Sequence, residues 1–372
     1  MANFIMTRYI YLMLLVLMIW SCNNKQKGVL LPVVETSYET TDLDTVYGVP
    51  VISDIVGATN IYSEESILFV ECPDATHQLK LYSINNNLEP IANLCTKGRA
   101  KNEFIDPRAA CKQFIKEDGH TKLLMYDNYS NIKTIDITES IKQGNTIVDK
   151  VEAAPVNLRR GRSIYLSTGE WFNHYELHYD HPIDGEFYVP RFTIGFNKEN
   201  SLDNEIPTFG KVMFISEKNR GLYNFVYSGS MRLSPDNSKV VFTFFHMPYM
   251  FIFDLKERTG KAFHTESVLS FDKPYPDITN SSEIAYGYGD IDVTDKYIIC
   301  LCPEGTQGDY TDPSRRPVVR FFNWDGEYLF GFYVDKRTYY ITFDENSGLL
   351  FGLETRGGEE RIYEYDIQKY LK

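Results

Sequence analysis

Histidines and carboxylates gather once in this chain, in Trp171-Phe172-Asn173-His174-Tyr175-Glu176-Leu177-His178-Tyr179-Asp180-His181. Alternate side chains of an extended strand share a face, so His174, Glu176, His178 and Asp180 would point one way. Two imidazoles and two carboxylates on a face are ligand types for zinc or another divalent cation, with His174 and His178 as the candidate ligands. The same pattern suits a polar, solvated strand face, and that is the reading taken, with no metal assigned. The other face, from Trp171 through Asn173, Tyr175, Leu177 and Tyr179 to His181, is aromatic. It could pack as core, or stack on a sugar ring through Trp171 and Tyr175.

A second candidate is Lys97-Gly98-Arg99-Ala100-Lys101-Asn102-Glu103-Phe104. It could set Arg99 and Glu103 at a ligand-binding mouth, or bury Phe104 while the two charges pair locally. Asp290, Asp292 and Asp295 lack the spacing and closing Glu of an EF-hand. Gly-x-Ser-x-Gly, P-loop and dinucleotide-binding fingerprints do not occur. No catalytic residue and no cofactor is assigned. The seven His include three within the one cluster, which leaves few for a site assembled from several parts of the chain.

The net charge of -13 repels phosphate backbones, so no nucleic-acid partner is expected. Apolar residues form 43% of the chain and aromatic residues 15%, enough for a large core with a bias towards strands. At the N-terminus Arg8 precedes the apolar run Tyr9 to Trp20, which reads as a secretory signal. The run ends in Ile19-Trp20-Ser21-Cys22, which resembles a bacterial lipobox and makes Cys22 the expected site of lipidation. Residues 1–22 are thus read as signal peptide and 23–45 as a flexible tether. Cys72, Cys95, Cys111, Cys300 and Cys302 remain, and buried free thiol is the expectation for most of them.

The elements that would carry these groups are strands. In Met231 to Ala262 a strand, the turn Ser234-Pro235-Asp236-Asn237, an apolar strand from Lys239, a break at Met247-Pro248, a further strand and the turn at Thr259-Gly260 follow one another. Apolar strands run into an Asn or Asp at Asn85, Asp127, Asn197, Asp254, Asn323 and Asp366, at intervals of roughly a propeller blade. The expected fold is all-β: a six-bladed β-propeller of four-stranded antiparallel blades over residues 46–372. Val46 to Val56 would supply the outer strand of the last blade and close the ring. Short helices are expected at Thr138 to Gly144 and Ile367 to Leu371.

The lipobox, the blade pattern, the segment Gly98-Arg99 followed by Glu103-Phe104, and the turn Leu233 to Asp236 together resemble the TolB-like six-bladed propeller lipoproteins of Bacteroidetes. That family often carries a Gly-Arg-Gly-Pro-Gly-Glu-Phe-like motif after its first blade. Here Ala100, Lys101 and Asn102 replace the middle of it. The resemblance implies an outer-membrane lipoprotein, and the tether's lack of acidic residues favours the periplasmic face. The function expected is a binding or scaffold module for a protein or glycan partner. The alternative is a carbohydrate-active or lactone-type hydrolase or lyase with its site at the propeller axis.

Overall fold

A computed structural model describes residues 33–36, 43–53, 55–128, 130–153, 163–175, 187–189, 191–195, 205–206, 210–212, 228–265, 283–303, 305–309, 312, 314–355 and 360–371. Its elements are almost all strands, and consecutive strands pair antiparallel. Sheet 1 holds Asn60–Glu64, Ile67–Glu71, His77–Ser83 and Glu89–Thr96. Sheet 2 holds Pro107–Glu117, His120–Asp127, Asn131–Asp136 and Val148–Ala153. Sheet 3 holds Ser163–Tyr165, Trp171–Tyr175, Arg191–Gly195 and Glu205–Ile206, with a small pair, Phe187–Val189 and Gly210–Val212, as a separate two-stranded sheet. Sheet 4 runs through Gly229–Leu233, Lys239–Phe244, Tyr249–Asp254 and Thr259–Thr265; sheet 5 through Asp290–Val293, Ile298–Cys302, Val318–Phe322 and Tyr328–Val334. Sheet 6 has Tyr340–Asp344, Leu349–Glu354 and Arg361–Asp366, and its fourth strand is Val49–Ile52 from the start of the chain.

The turns explain why the chain reverses where it does. Ser234 Oγ accepts the backbone N–H groups of Ser238 and Lys239, and Asp236 Oδ1 accepts that of Ser238. Asp254 Oδ1 accepts from Lys256 and Glu257, and Asn323 Oδ1 from Asp325 and Glu327. These are side chains standing in for a backbone turn, the reason Asn and Asp mark strand ends. The marker Asn197 lies outside the described residues. The one regular helix described, α1 (Ile137–Gln143), is capped by Asp136, whose carboxylate accepts from Glu139 N at 2.8 Å, and ends at Gly144 with φ 68°. At the C-terminus only a short 3-10 turn, Gln368–Tyr370, forms where a helix was expected.

The core lies between sheets. Tyr62, Phe69, Leu81, Leu123 and Met125 fill the space between sheets 1 and 2; Tyr126, Ile132 and Trp171 that between 2 and 3. Phe172 meets Phe253, and His174 meets Phe242, across sheets 3 and 4. Further clusters join sheets 4 and 5, 5 and 6, and 6 and 1. Strands covered on both faces are buried throughout: every position of Ile298–Cys302 and of Val318–Phe322 is buried, Arg320 included. Burial of such side chains stabilises by about 1.5–3 kcal/mol each before chain entropy is counted.

The architecture is a β-propeller with small antiparallel four-stranded blades. Against the expected count of six, five blades are described through all their strands: sheets 1, 2, 4, 5 and 6. Sheet 3 is described beyond His174 by its backbone pairing only. The stretch read as a tether, residues 23–45, contains the strand Val33–Thr36, which lies parallel on Thr259–Thr265 of sheet 4. Thr45–Val46 then lies parallel on the end of sheet 5, before Val49–Ile52 enters sheet 6. The N-terminal segment is therefore a strap over the outer edges of three successive sheets. Its backbone groups satisfy edges that would otherwise stand open.

Candidate functional site at the propeller axis

First strands of different sheets meet one another, and those of sheets 5 and 6 run parallel. Asp290 Oδ2 accepts from Ile341 N at 3.0 Å and Asp292 Oδ2 from Phe343 N at 2.8 Å, a two-residue step matched on both strands. Thr342 Oγ1 donates to Asp292 and meets Ser63 Oγ, each at 2.8 Å, so sheets 5, 6 and 1 are stitched in register.

Sheet 2 departs from this regularity. Its inner strand pairs Ala109 with Met125 and then Phe114 with Leu123, so residues 110–113 bulge from the ladder. Cys111 and Lys112 sit at φ 50° and 51°, left-handed backbone that costs a side-chain-bearing residue about 1–2 kcal/mol. The bulge sends Lys112 across the axis. Its Nζ donates to Asp290 Oδ2 at 2.9 Å and to Ile341 O at 3.1 Å. From sheet 4, Arg232 Nη2 donates to the other oxygen, Asp290 Oδ1, at 3.2 Å. Gln113, next in the bulge, donates to Tyr165 O and accepts from Tyr165 N, fixing sheet 2 to sheet 3.

Asp290 thus holds two cations, with side-chain exposures of 4% for Lys112, 8% for Arg232 and 5% for Asp290. Burial lowers the Lys112 pKa from the usual lysine value, and the Asp290 charge opposes that shift. A buried trio of this kind is costly to break, because removing one member leaves another charged and unpaired.

Toward the start of the inner strands the polar groups continue. Glu71 accepts from Ala109 N at 2.6 Å and from Tyr62 Oη at 3.4 Å, and burial raises its carboxyl above the usual range. Asn60 Nδ2 also reaches Glu71, at 3.5 Å. Arg108 Nη1 donates to Thr59 Oγ1 at 3.0 Å and Nη2 pairs with Asp106 at 3.3 Å. Tyr340, raised mainly by burial, lies in the field of Asp290, Glu71 and Arg108.

The residues singled out from sequence lie elsewhere. Arg99 is exposed, and Glu103 Oε2 accepts from Ala100 N at 2.9 Å within the link between sheets 1 and 2. Phe104 is fully buried there, with Lys133 Nζ 4.4 Å from its ring centre and 2.8 Å from Asp127. Trp171 is buried against Tyr165, ring centres 5.0 Å apart. Tyr175 pairs with Arg191 in the backbone register. His174 is buried, its ring 4.6 Å from that of Phe242, in place of the solvated face expected. His178 and Cys22 lie outside the described residues. Among the described residues no group of three or more His, Cys, Asp or Glu could hold a metal ion. Lys112, Arg232 and Asp290 were not assigned from sequence. The one available signal was charge set among strand residues, at Arg232 in Met231-Arg232-Leu233 and at Asp290 beside Ile291.

The arrangement defines a β-propeller with a charged, inter-sheet clamp on its axis. No family model matches the chain, and no curated protein does. Solved structures do. A member of the duf4221 family from Bacteroides vulgatus superposes with TM-score 0.52 at 12% identity, over 87% of this chain and 96% of its own. A protein from Bacteroides fragilis, described as exported, gives TM-score 0.49 at 8% identity over 91% of this chain and 98% of its own. A calcium-binding protein, regucalcin, from Agrobacterium tumefaciens gives 0.44 at 10% identity over 87% and 96%. At these identities the likeness to the Bacteroides vulgatus protein is one of fold.

Proposed function

We propose that this chain is an exported, lipid-anchored β-propeller of six blades that binds a glycan or protein partner. The sheet-to-sheet packing, running from sheet 1 through sheet 6 and back to sheet 1, supports the count and a ring closed by Val49–Ile52. The signal-like run ending at Cys22 supports lipidation there and a place in the outer membrane, on its periplasmic face. The TolB-like resemblance belongs to this reading. Arg99, Glu103 and Tyr175 stay as candidate contacts on its surface.

The observation that carries binding is the clamp. Lys112, Arg232 and Asp290 engage one another in a buried site, so the axis carries fixed, paired charges rather than a free base or nucleophile. Retention on an array of bacterial and host glycans, together with cross-linking of the full-length protein in membranes, tests this. Specific capture of a glycan class or of one protein is expected, and capture of neither would sink it.

One observation favours a second reading, a hydrolase or lyase at the axis: the raised carboxyl of Glu71 is suited to a general acid. That reading requires turnover of a glycan or lactone that is lost in Glu71→Gln.

A further inference from the structure

Among the described residues seven large apolar side chains are exposed, and four of them lie on the strap or on the edge strand it partly covers: Val34, Tyr47, Val49 and Leu329. Tyr47 is 70% exposed and follows the pairing of Thr45–Val46 with sheet 5; Val49, 61% exposed, sits opposite Glu364 in sheet 6. Leu329 is the extra residue of a bulge in the edge strand of sheet 5, since Phe321 pairs with Phe330 and Phe322 with Tyr328. The carboxylates of Asp44 and Asp335 carry counter-charges, from Lys369 and Lys336, and the exposed Arg316 adds a cation beside Thr45, at 3.5 Å.

Exposed apolar residues are ordinary when scattered. These share the edges along which the chain arrives from Cys22. Val33 pairs with Ala262 on sheet 4, and ten residues, 23–32, separate it from Cys22. Fully extended, that stretch spans at most about 40 Å. An acyl anchor at Cys22 therefore keeps the strap side within that distance of the lipid. At so short a reach the second contact is intramolecular, and a few apolar side chains suffice where an untethered protein needs many. Tyr47 suits the headgroup level, with an apolar ring and a hydroxyl that stays wet. We infer that the strap side is a membrane-contact surface, with Tyr47, Val49 and Leu329 in the headgroup region and Arg316 beside lipid phosphates. The inference rests on the lipid-anchor reading and adds which face of the propeller meets the bilayer.

Photo-crosslinking tests it. Protein expressed from the full chain carries benzoylphenylalanine in place of Tyr47, Leu329 or Val151, one position at a time, and is placed in vesicles of phosphatidylethanolamine and phosphatidylglycerol. Val151 is the control: it is 43% exposed, against 42% for Leu329, but lies on the outer strand of sheet 2. After illumination, lipid adducts should form at positions 47 and 329 at least about fivefold more than at 151. Tyr47→Ser combined with Val49→Ser should lower the yield at 329 severalfold and leave the melting temperature nearly unchanged, since both side chains are exposed. An unchanged yield would show that the anchor alone brings lipid there and overturns the contact role of these side chains. Equal yields at 47, 329 and 151 overturn the inference, as do adducts at 47 and 329 to a second copy or another protein. The mass of the Cys22 peptide, read in the same samples, separates the two readings. Acylated Cys22 without lipid adducts at 47 or 329 strikes the contact surface alone; unmodified Cys22 strikes the anchor and the surface with it.

Discussion

At His246 a single ring nitrogen ties two loops together. Nδ1 donates to Ala285 O at 3.0 Å and the ring lies against Tyr286, with 3% of the residue exposed. Burial pushes its pKa down to about 4, against the bond to Ala285, which acts the other way. The folded protein therefore holds His246 neutral where an unfolded chain, with an ordinary histidine pKa near 6.5, takes up a proton. Stability from this residue is complete above about pH 6.5 and is lost as pH falls towards 4, roughly 3 kcal/mol in all. Urea unfolding between pH 7 and 4 should show that loss, and His246→Gln should flatten it. An equal slope in the variant would assign the acid sensitivity to other groups. The clamp gives a second expectation. Asp290→Asn leaves Lys112 and Arg232 buried without their counter-charge and should cost about 3–5 kcal/mol, read as a lower urea midpoint at constant slope. The five described cysteines, all buried, should stay silent to a thiol reagent in the native state and react on unfolding.

Elements show most clearly what sequence patterns can and cannot reveal. The strand ends at Asp254, Asn323 and Asp366 were legible because each marker side chain does its work within a few residues, bonding the next backbone amides. The α1 start was legible for the same reason. The bulge at residues 110–113 was not. Ala-Cys-Lys-Gln carries no turn residue, and what holds it is Asp290, 178 positions from Lys112. Trp171 was read as part of an aromatic face, and alternation alone does not say whether water or another sheet lies over it. Here Tyr165 and sheet 2 cover it. Two glycines make a paired test at this scale. A Cβ on Gly229 would sit 1.9 Å from the backbone oxygen of Thr243, so Gly229→Ala must move a strand. On Gly98 the nearest atom, at 2.0 Å, is the end of the Glu103 side chain, which can swing away. Gly229→Ala should lower the melting temperature by several degrees more than Gly98→Ala.

For the whole molecule the informative feature is that three of the described sheets have their outer edges covered by one N-terminal segment. Sheets 4, 5 and 6 each gain a strand from the segment before residue 53, two parallel and one antiparallel. Asp44 adds ties to Lys369 and Tyr370 at 3.0 and 3.2 Å, and Gly48 N donates to Asp335 at 2.7 Å. A protein lacking residues 1–52 should keep its inner strands but expose the edge Arg361–Asp366. Size-exclusion chromatography should then show concentration-dependent association, and the melting temperature should fall. A truncated protein that stays monomeric and equally stable would show the strap to be ornamental. Composition and turn spacing made the all-β class and the pairing of an N-terminal strand with the last sheet legible. The route of that segment across two further sheets was not, because parallel edge additions carry no turn and leave no local signature.

The pairing of Val49–Ile52 with Arg361–Asp366 also orders the life of the polypeptide in time. The strand is made early by the ribosome and its partner late, so through nearly all of synthesis it has nothing to pair with. Sheet 6 is complete only when the far end of the propeller has been delivered, which makes its closure a long-range and therefore late folding event. A chain cut short before Arg361 would leave the strand unpaired and the adjoining apolar surfaces bare, open to proteases and chaperones. Closure then serves as a built-in test that the propeller has arrived whole.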